Sequence, residues 1–308
     1  MMTKTFAILA PCFNEGVVIK KFLDELNEVL SICEYNFTVV IADDHSNKNT
    51  INILKDYEFD SKKLNLEVIR LKYNMGHQEA IRQGLLYINK KEQEFNGTIV
   101  MDSDGEDDPQ SILKAIELSD FNIVFFERGK RREAFIFRVG YKIYQLIFKI
   151  ATGKTISVGN FSMLSNEVLE SIQRQKFFHY ASFLSKQKFS IHKIKSDRRK
   201  RIDGKSKMSY NGLVIHGLKS LIEFSEELLI FFIKILIAII LFSISFGLVV
   251  VYKKFISNEA ILGWASTVGI LLINLILIVA TFLISIMMSL SIKNIISREN
   301  NNSYEKIK

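Results

Sequence analysis

The chain has 308 residues, a formal net charge of +8 and 48% hydrophobic residues, with a mean hydropathy of +0.15. That length allows one large domain or two small ones, and the hydropathy is high for a purely soluble protein. Its only cysteines, Cys12 and Cys33, exclude a Cys/His metal-type spacing and fit reduced cytosolic thiols.

In chain order, residues 5–11 (TFAILAP) form a short apolar run stopped by Pro11, which reads as a buried strand. The run is too short for a signal peptide. Residues 15–32 carry Val18, Phe22, Leu26 and Val29 at helical spacing. A second buried strand spans 36–44 and ends in acids, and a short helix follows near 49–57. Strand 64–72, helix 77–91, strand 97–104, helix 109–118 and strand 121–126 continue the alternation, with Pro109 early in its helix as proline favours. Strands alternating with helices predict an α/β fold with a doubly wound, mostly parallel sheet. Such sheets bind ligands beyond the carboxyl ends of their strands. The spacing therefore gathers Asn14, Glu15, Asp43, Asp44, Asp102 and Asp104 along one edge.

The remainder differs in kind. Residues 135–151 are apolar with Arg138, Lys142 and Lys149 spaced along them, which suits an amphipathic helix in a membrane interface. Residues 211–227 can do the same, with an ordinary packed helix as the alternative for both. Residues 228–252 carry only Lys234 as a charge, and residues 261–292 carry none. About 20 apolar residues cross a bilayer, so both segments qualify as transmembrane helices. The expected organisation is a domain over 1–210, a juxtamembrane helix over 211–227, a two-helix hairpin over 228–292 and a tail over 293–308. Residues 190–207 hold eight Lys or Arg, whereas the connection between the spans has Lys253 and Lys254. This bias places domain and tail on the cytosolic side of the cytoplasmic membrane.

The stretch Val100–Pro109 (VMDSDGEDDP) packs five acids into a basic chain. Asp-x-Asp at a strand end suits Mg²⁺ or Mn²⁺, which bind through one or two acids plus substrate phosphates. Asp102, Asp104 and Glu106 alternate and would share a face in extended backbone, although Gly105 can bend the chain there. Asp107 and Asp108 fit better as acids flanking the helix start.

Seven segments in order carry a resemblance: APCFNEG, IADDHSNKNT, NMGHQEAIRQGL, MDSDGEDDP, ERGKRRE, GNFSML and RIDGKSKMS. Together they make the chain resemble a family 2 glycosyltransferase of GT-A fold, and more narrowly the polyprenyl-phosphate glycosyltransferases. The resemblance implies that Pro11, Asn14, Glu15, Asp43, Asp44, Asp102 and Asn160 line the nucleotide-sugar pocket. It implies Asp104 and Glu106 as metal ligands, with Asp102 a further candidate, and Glu106 in place of the family's usual Gln. Asp102, Asp104, Arg128 and Arg131 would carry catalysis. Arg128, Arg131, Arg138, Arg201 and Lys207 are its candidates for phosphate on the donor or the lipid acceptor, since Arg matches phosphate through its planar fork. Asn160 stands where some members have Asp.

The resemblance implies a UDP- or GDP-sugar donor, a polyprenyl phosphate acceptor, Mg²⁺ or Mn²⁺, and inversion at the anomeric carbon. Another lipid or glycan acceptor is the enzymatic alternative, and a non-catalytic membrane scaffold is the other. The Gln-x-x-Arg-Trp motif of processive synthases is absent, the lone Trp264 lying in a span. Arg198, Arg199 and Lys200 read as a solvated face or a lipid contact. His77 reads as a helix-start bond or a substrate contact, while His179, His192 and His216 show no partner pattern. No nucleic-acid partner is expected, because the basic patch lies beside a membrane anchor and lacks interleaved aromatics. Oligomeric state, homo-oligomer included, is left open.

Overall fold

The computed structural model describes residues 3–118, 120–128, 145–146, 148–150, 152–153, 159–196, 199–202, 210–257, 263–298 and 303–308. The chain divides into two units. The larger comprises residues 1–139, 156–223 and 299–308, and the smaller comprises 140–155 and 224–298.

The larger unit begins with β1 (Thr5–Cys12), α1 (Val17–Leu30), β2 (Asn36–Asp43), α2 (Lys48–Asp56), β3 (Leu64–Leu71) and α3 (His77–Asn89). It continues through β4 (Thr98–Val100), α4 (Gln110–Ile116), β5 (Ile123–Arg128), β6 (Ser162–Leu164), α5 (Asn166–Gln173), α6 (Tyr180–Lys186), β7 (Ile191–Ser196) and α7 (Tyr210–Glu223). The smaller unit holds α8 (Ser225–Phe255) and α9 (Trp264–Arg298), and β8 (Tyr304–Lys306) returns to the larger.

One sheet of eight strands runs in the order β7-β5-β6-β4-β1-β2-β3-β8. β4, β1, β2 and β3 are parallel, in keeping with the α/β alternation of the sequence. β6 is wedged antiparallel between β4 and β5. Alternation along β1 builds the core on both faces. Phe6, Ile8 and Ala10 join Phe22 and Leu26 of α1, whereas Ala7 and Leu9 join Ala80, Ile81 and Leu85 of α3. A Cβ added to Gly84 would lie 2.2 Å from Leu9 Cδ1, so α3 rests on β1 at a separation that needs glycine.

Three predicted strands and four predicted helices of the first 118 residues stand within a few residues of their expected ends. Strand β4 is the exception, three residues long, because the chain turns at Ser103–Gly105 instead of running extended. The expected interface helix at 135–151 lies largely outside the described residues. The predicted juxtamembrane helix corresponds to α7. The two apolar runs form single helices of 31 and 35 residues. Each is long and apolar enough to cross a membrane.

The tail over 293–308 departs from a plain extension. Its last residues form β8, antiparallel to β3, with Leu71 opposite Tyr304 and Ile69 opposite Lys306. Val68 N–H donates to Lys308 O at 3.0 Å, and Lys72 N–H donates to Ser303 O at 3.0 Å. The half-buried network beneath is ionic. Glu67, 7% exposed, accepts from Lys91 Nζ at 2.6 Å and from Tyr87 Oη at 3.0 Å, with Lys306 Nζ at 3.4 Å. These donors hold the Glu67 carboxyl below the ordinary range despite the burial that opposes it. Tyr304 meets Tyr87 edge to face at 5.7 Å. Lys308 Nζ donates to Lys55 O at 2.9 Å and to Tyr57 O, capping the carboxyl end of α2.

Removing residues 303–308 exposes the β3 edge and strips Glu67 of one cation. The truncated full-length protein should melt roughly 5 °C lower by circular dichroism in detergent. An unchanged melting temperature would show that β8 adds nothing to the sheet.

Candidate active site

The polar clusters meet at the carboxyl edge of the central strands, as the topology requires. The loop after β1 is stitched to the loop after β2. Asn14, at φ 53°, donates its N–H to Ser46 Oγ at 2.8 Å, and its Oδ1 accepts from Asn47 N–H at 2.8 Å. Gly16 N–H donates to Thr50 Oγ1 at 3.0 Å. Pro11 O accepts from Ser103 Oγ at 2.8 Å, which ties the first motif to the acidic loop.

Asp43 and Asp44 lie deeper than an open ligand contact. Asp43 is fully buried and accepts Ser46 N–H at 3.0 Å, with Arg70 Nε at 3.5 Å. Burial raises its pKa above the ordinary carboxylate value, against the pull of Ser46 and Arg70. Asp44 turns both oxygens onto backbone, accepting Met75 N–H at 2.6 Å and Gly76 N–H at 2.9 Å. Burial raises it too. These bonds tie the loop of residues 74–77 to the end of β2, at the edge where the nucleotide was expected. The short distance between adjacent strand ends makes that bond geometrically natural.

The acidic loop is a compact turn. Gly105 has φ 79°, so Asp102, Asp104 and Glu106 do not alternate along extended backbone. Asp104 Oδ1 accepts Glu106 N–H at 3.0 Å. Arg201 spans the next two acids, its Nη2 at 2.9 Å from Asp104 Oδ2 and its Nε at 2.9 Å from Glu106 Oε1. Glu106 is 5% exposed, so its counter-charge is part of the fold. Asp104 is raised by burial and then by its neighbour Asp102. Asp102 faces elsewhere, 3.4 Å from His77 Nε2. Asn160 Nδ2 lies 2.9 Å from the same imidazole nitrogen.

Among the described residues no group of three or more His, Cys, Asp or Glu side chains converges as a ready-made metal cage. Two carboxylates converge, Asp104 and Glu106, and a cation bridges them. That donor set fits a hard divalent ion such as Mg²⁺ or Mn²⁺, which takes one or two acids and completes its shell with phosphate and water.

Several assignments change. Asp107, expected as a solvated helix-start acid, is 2% exposed, and its Oδ2 accepts Asp102 N–H at 2.9 Å. Asp108 does flank the helix, its Oδ1 accepting Gln110 N–H at 3.2 Å. Arg199, read as part of a solvated face or a lipid contact, pairs with Glu25, and its Nη2 donates to Asp107 O at 3.1 Å. Arg128 ends β5, opposite Ser196 of β7. Arg131, Arg138 and Lys207 lie outside the described residues.

The histidines show what the sequence concealed. His179 stacks on His216 with centroids 4.4 Å apart, and its Nδ1 accepts Ser182 N–H at 3.2 Å. His216 lies on α7, so the stack joins that helix to the start of α6. No sequence spacing joins these residues. The one legible signal was His77 immediately after Gly76, at a helix start that faces the strand ends.

Gly105→Ala forces a Cβ to 2.4 Å from Ile202 Cγ1 at a φ of 79°. The variant should lose at least about tenfold in sugar transfer as the turn shifts, while the remote core keeps its far-UV spectrum. Wild-type transfer would show that the turn geometry is not needed. A second expectation concerns His179, which burial and then His216 hold down from 6.5 to about 3. As pH falls from 6.5 towards 3, the unfolded imidazole binds a proton that the folded one refuses, so stability is lost across that window. His179→Asn should flatten the pH dependence of the melting temperature there, and equal slopes would refute the assignment.

Comparison with known proteins agrees with this geometry. The pattern described as Glycosyl transferase family 2 matches residues 7–173. The uncharacterized glycosyltransferase YkcC of Bacillus subtilis (strain 168) is 25% identical over 279 residues, covering 87% of this chain and 83% of the relative. A dolichyl-phosphate beta-glucosyltransferase of Dictyostelium discoideum is 23% identical over 134 residues, covering 40% of this chain and 39% of that protein. The structure of glucosyl-3-phosphoglycerate synthase from Mycobacterium tuberculosis, in complex with Mn²⁺, UDP-glucose and phosphoglyceric acid, superposes with TM-score 0.51 at 11% identity. That match covers 73% of this chain and 80% of the other, and it establishes a GT-A-type fold. With its sheet, its acidic strand-end turn and a family pattern spanning more than half its length, the chain belongs to glycosyl transferase family 2.

Proposed function

We propose that this glycosyltransferase moves a sugar from a UDP- or GDP-sugar to a polyprenyl phosphate at the cytosolic face of a membrane, with inversion and with a divalent metal. The observation that carries the reading is the convergence of the Asp104 and Glu106 carboxylates on the Arg201 guanidinium at the sheet edge. It sits in a chain whose next segments are helices long and apolar enough to span a bilayer. The dolichyl-phosphate enzyme among the relatives supports the acceptor class. The Mn²⁺ and UDP-glucose bound by the structural neighbour support the donor and metal classes.

The chemistry needs little beyond placement. A phosphate monoester has its second pKa at about 6, so the acceptor arrives mostly as a dianion and a dedicated base is unnecessary. An acceptor oxygen forms the new bond to the anomeric carbon as the bond to the donor diphosphate breaks, and the electron pair leaves with the diphosphate. Asp104 and Glu106 would hold the metal, which stabilises negative charge on the leaving group. Asn14 and Glu15, on the loop stitched to Ser46 and Thr50, would flank the nucleotide, and the buried Asp43 would act from beneath. Arg201 would serve phosphate. Asn160 and His77, grouped with Asp102, would border the sugar.

Orientation follows from connectivity. The chain leaves the catalytic sheet through α7, passes through two apolar helices and returns as β8 of the same sheet. If both helices span, their outer ends share one side with the sheet. The basic residues of 190–207 favour the cytosol for that side.

The test incubates the detergent-solubilised full-length protein with a panel of UDP- and GDP-sugars, Mn²⁺ or Mg²⁺ and undecaprenyl phosphate, with mass spectrometry of the lipid fraction. One donor should give a sugar–phosphate–lipid product, lost with chelator and reduced at least about a hundredfold in Asp104→Asn. Sugar transferred only to other acceptors would overturn the polyprenyl assignment, and full activity in Asp104→Asn would overturn the metal assignment.

A further inference from the structure

The geometry points to Arg201 as a built-in counter-ion for the metal site, one that yields the two acids to the divalent cation and moves to the donor diphosphate. This deepens the metal-dependent reading above and rests on it.

Three observations carry the inference. First, Arg201 bridges the same two carboxylates that would ligate the metal, at 2.9 Å each. A divalent cation placed on the same two carboxylates repels the guanidinium and competes with it for their lone pairs. Second, charge decides where the guanidinium goes. Two carboxylates and one arginine leave a local charge of about −1, and a divalent ion brings the acids to neutrality. A nucleoside diphosphate then adds about −3, and it becomes the strongest anion within reach of the displaced arginine.

Third, the backbone is anchored independently of the side chain. Arg199 N–H donates to Glu106 O and Ile202 N–H donates to Asp104 O, each at 3.1 Å. The Arg199 side chain adds bonds to Glu25 and to Asp107 O. The strap of residues 199–202 therefore stays on the acidic turn while Arg201 alone rotates.

The device explains two features together. Glu106 stays buried without a metal because Arg201 neutralises it, and metal alone binds weakly because it must expel an arginine. Metal and nucleotide then bind with positive coupling, since each gives the displaced group a partner.

The test is calorimetric titration of Mn²⁺ into the full-length protein in detergent, with and without UDP and GDP. Wild-type protein should bind Mn²⁺ weakly alone and about tenfold or more tightly with the preferred nucleotide. Arg201→Gln should bind Mn²⁺ alone at least about tenfold more tightly than wild type, with that coupling diminished. Arg201→Lys, which retains charge, should lie between the two and serves where the Gln variant fails to fold. Unchanged or weaker Mn²⁺ binding in a folded Arg201 variant would overturn the exchange. No Mn²⁺ binding to any variant, or binding that survives Glu106→Gln and Asp104→Asn together, would overturn the underlying metal reading. Neither readout involves the lipid acceptor, so its identity does not affect the outcome.

Discussion

A carboxylate withdrawn from water must find a compensating charge or donor, and the catalytic edge of this protein is organised by that constraint. Asp43, Asp44, Glu106 and Asp107 are each at most 5% exposed. Each is answered in a different way. Asp43 has Ser46 and Arg70, Asp44 has two backbone amides, Asp107 has the Asp102 amide, and Glu106 has Arg201. The first three answers are permanent and build the walls of the site. The fourth is an ion pair between side chains, the one whose cation we propose is exchanged.

That division separates scaffold from chemistry within a short stretch of chain. Asp102, Asp104, Glu106, Asp107 and Asp108 are nearly contiguous, yet they point to His77, to Arg201, to Arg201, to backbone and to a helix start, respectively. Gly105 permits the turn that disperses them. Ile202 packs where a Cβ on Gly105 would sit, so the strap and the turn are shaped to each other. The basic chain thus keeps its acids by pairing them internally.

The chain leaves the larger unit before the apolar helices and returns to its sheet after them as β8. Glu67 under the β8 edge is another buried acid answered by cations, Lys91 and Lys306. The last residues serve as an edge cover, which protects β3 from unwanted strand pairing. β3 is the strand that carries Arg70 to Asp43, so the tail supports an element of the site from the far edge of the sheet.

Local pattern was enough for much of this. Apolar runs of 4–8 residues ending in acids, separated by helical spacing, specify parallel strands and the edge on which ligands gather. Thus Asn14, Asp43, Asp102 and Asp104 were placeable from order alone, and so were the two apolar helices, whose length and lack of charge have few other uses. The sequence could not reveal which acid meets which cation. Asp104 and Arg201 are far apart along the chain, and Arg201 is one of several adjacent basic residues that composition treats alike. Only the antiparallel strap, fixed by Arg199 and Ile202 amides on the acidic turn, distinguishes it from Arg199. The β8 strand escaped for the same reason: a polar terminal segment carries no periodic signal, and its strand state exists because β3 offers an edge to pair with and Glu67 a carboxylate that Lys306 can join. The sequence by itself determined the fold class and the chemistry available at one edge; tertiary structure decided the pairings, because a buried charge is settled by what lies across the fold and not by its neighbours in the chain.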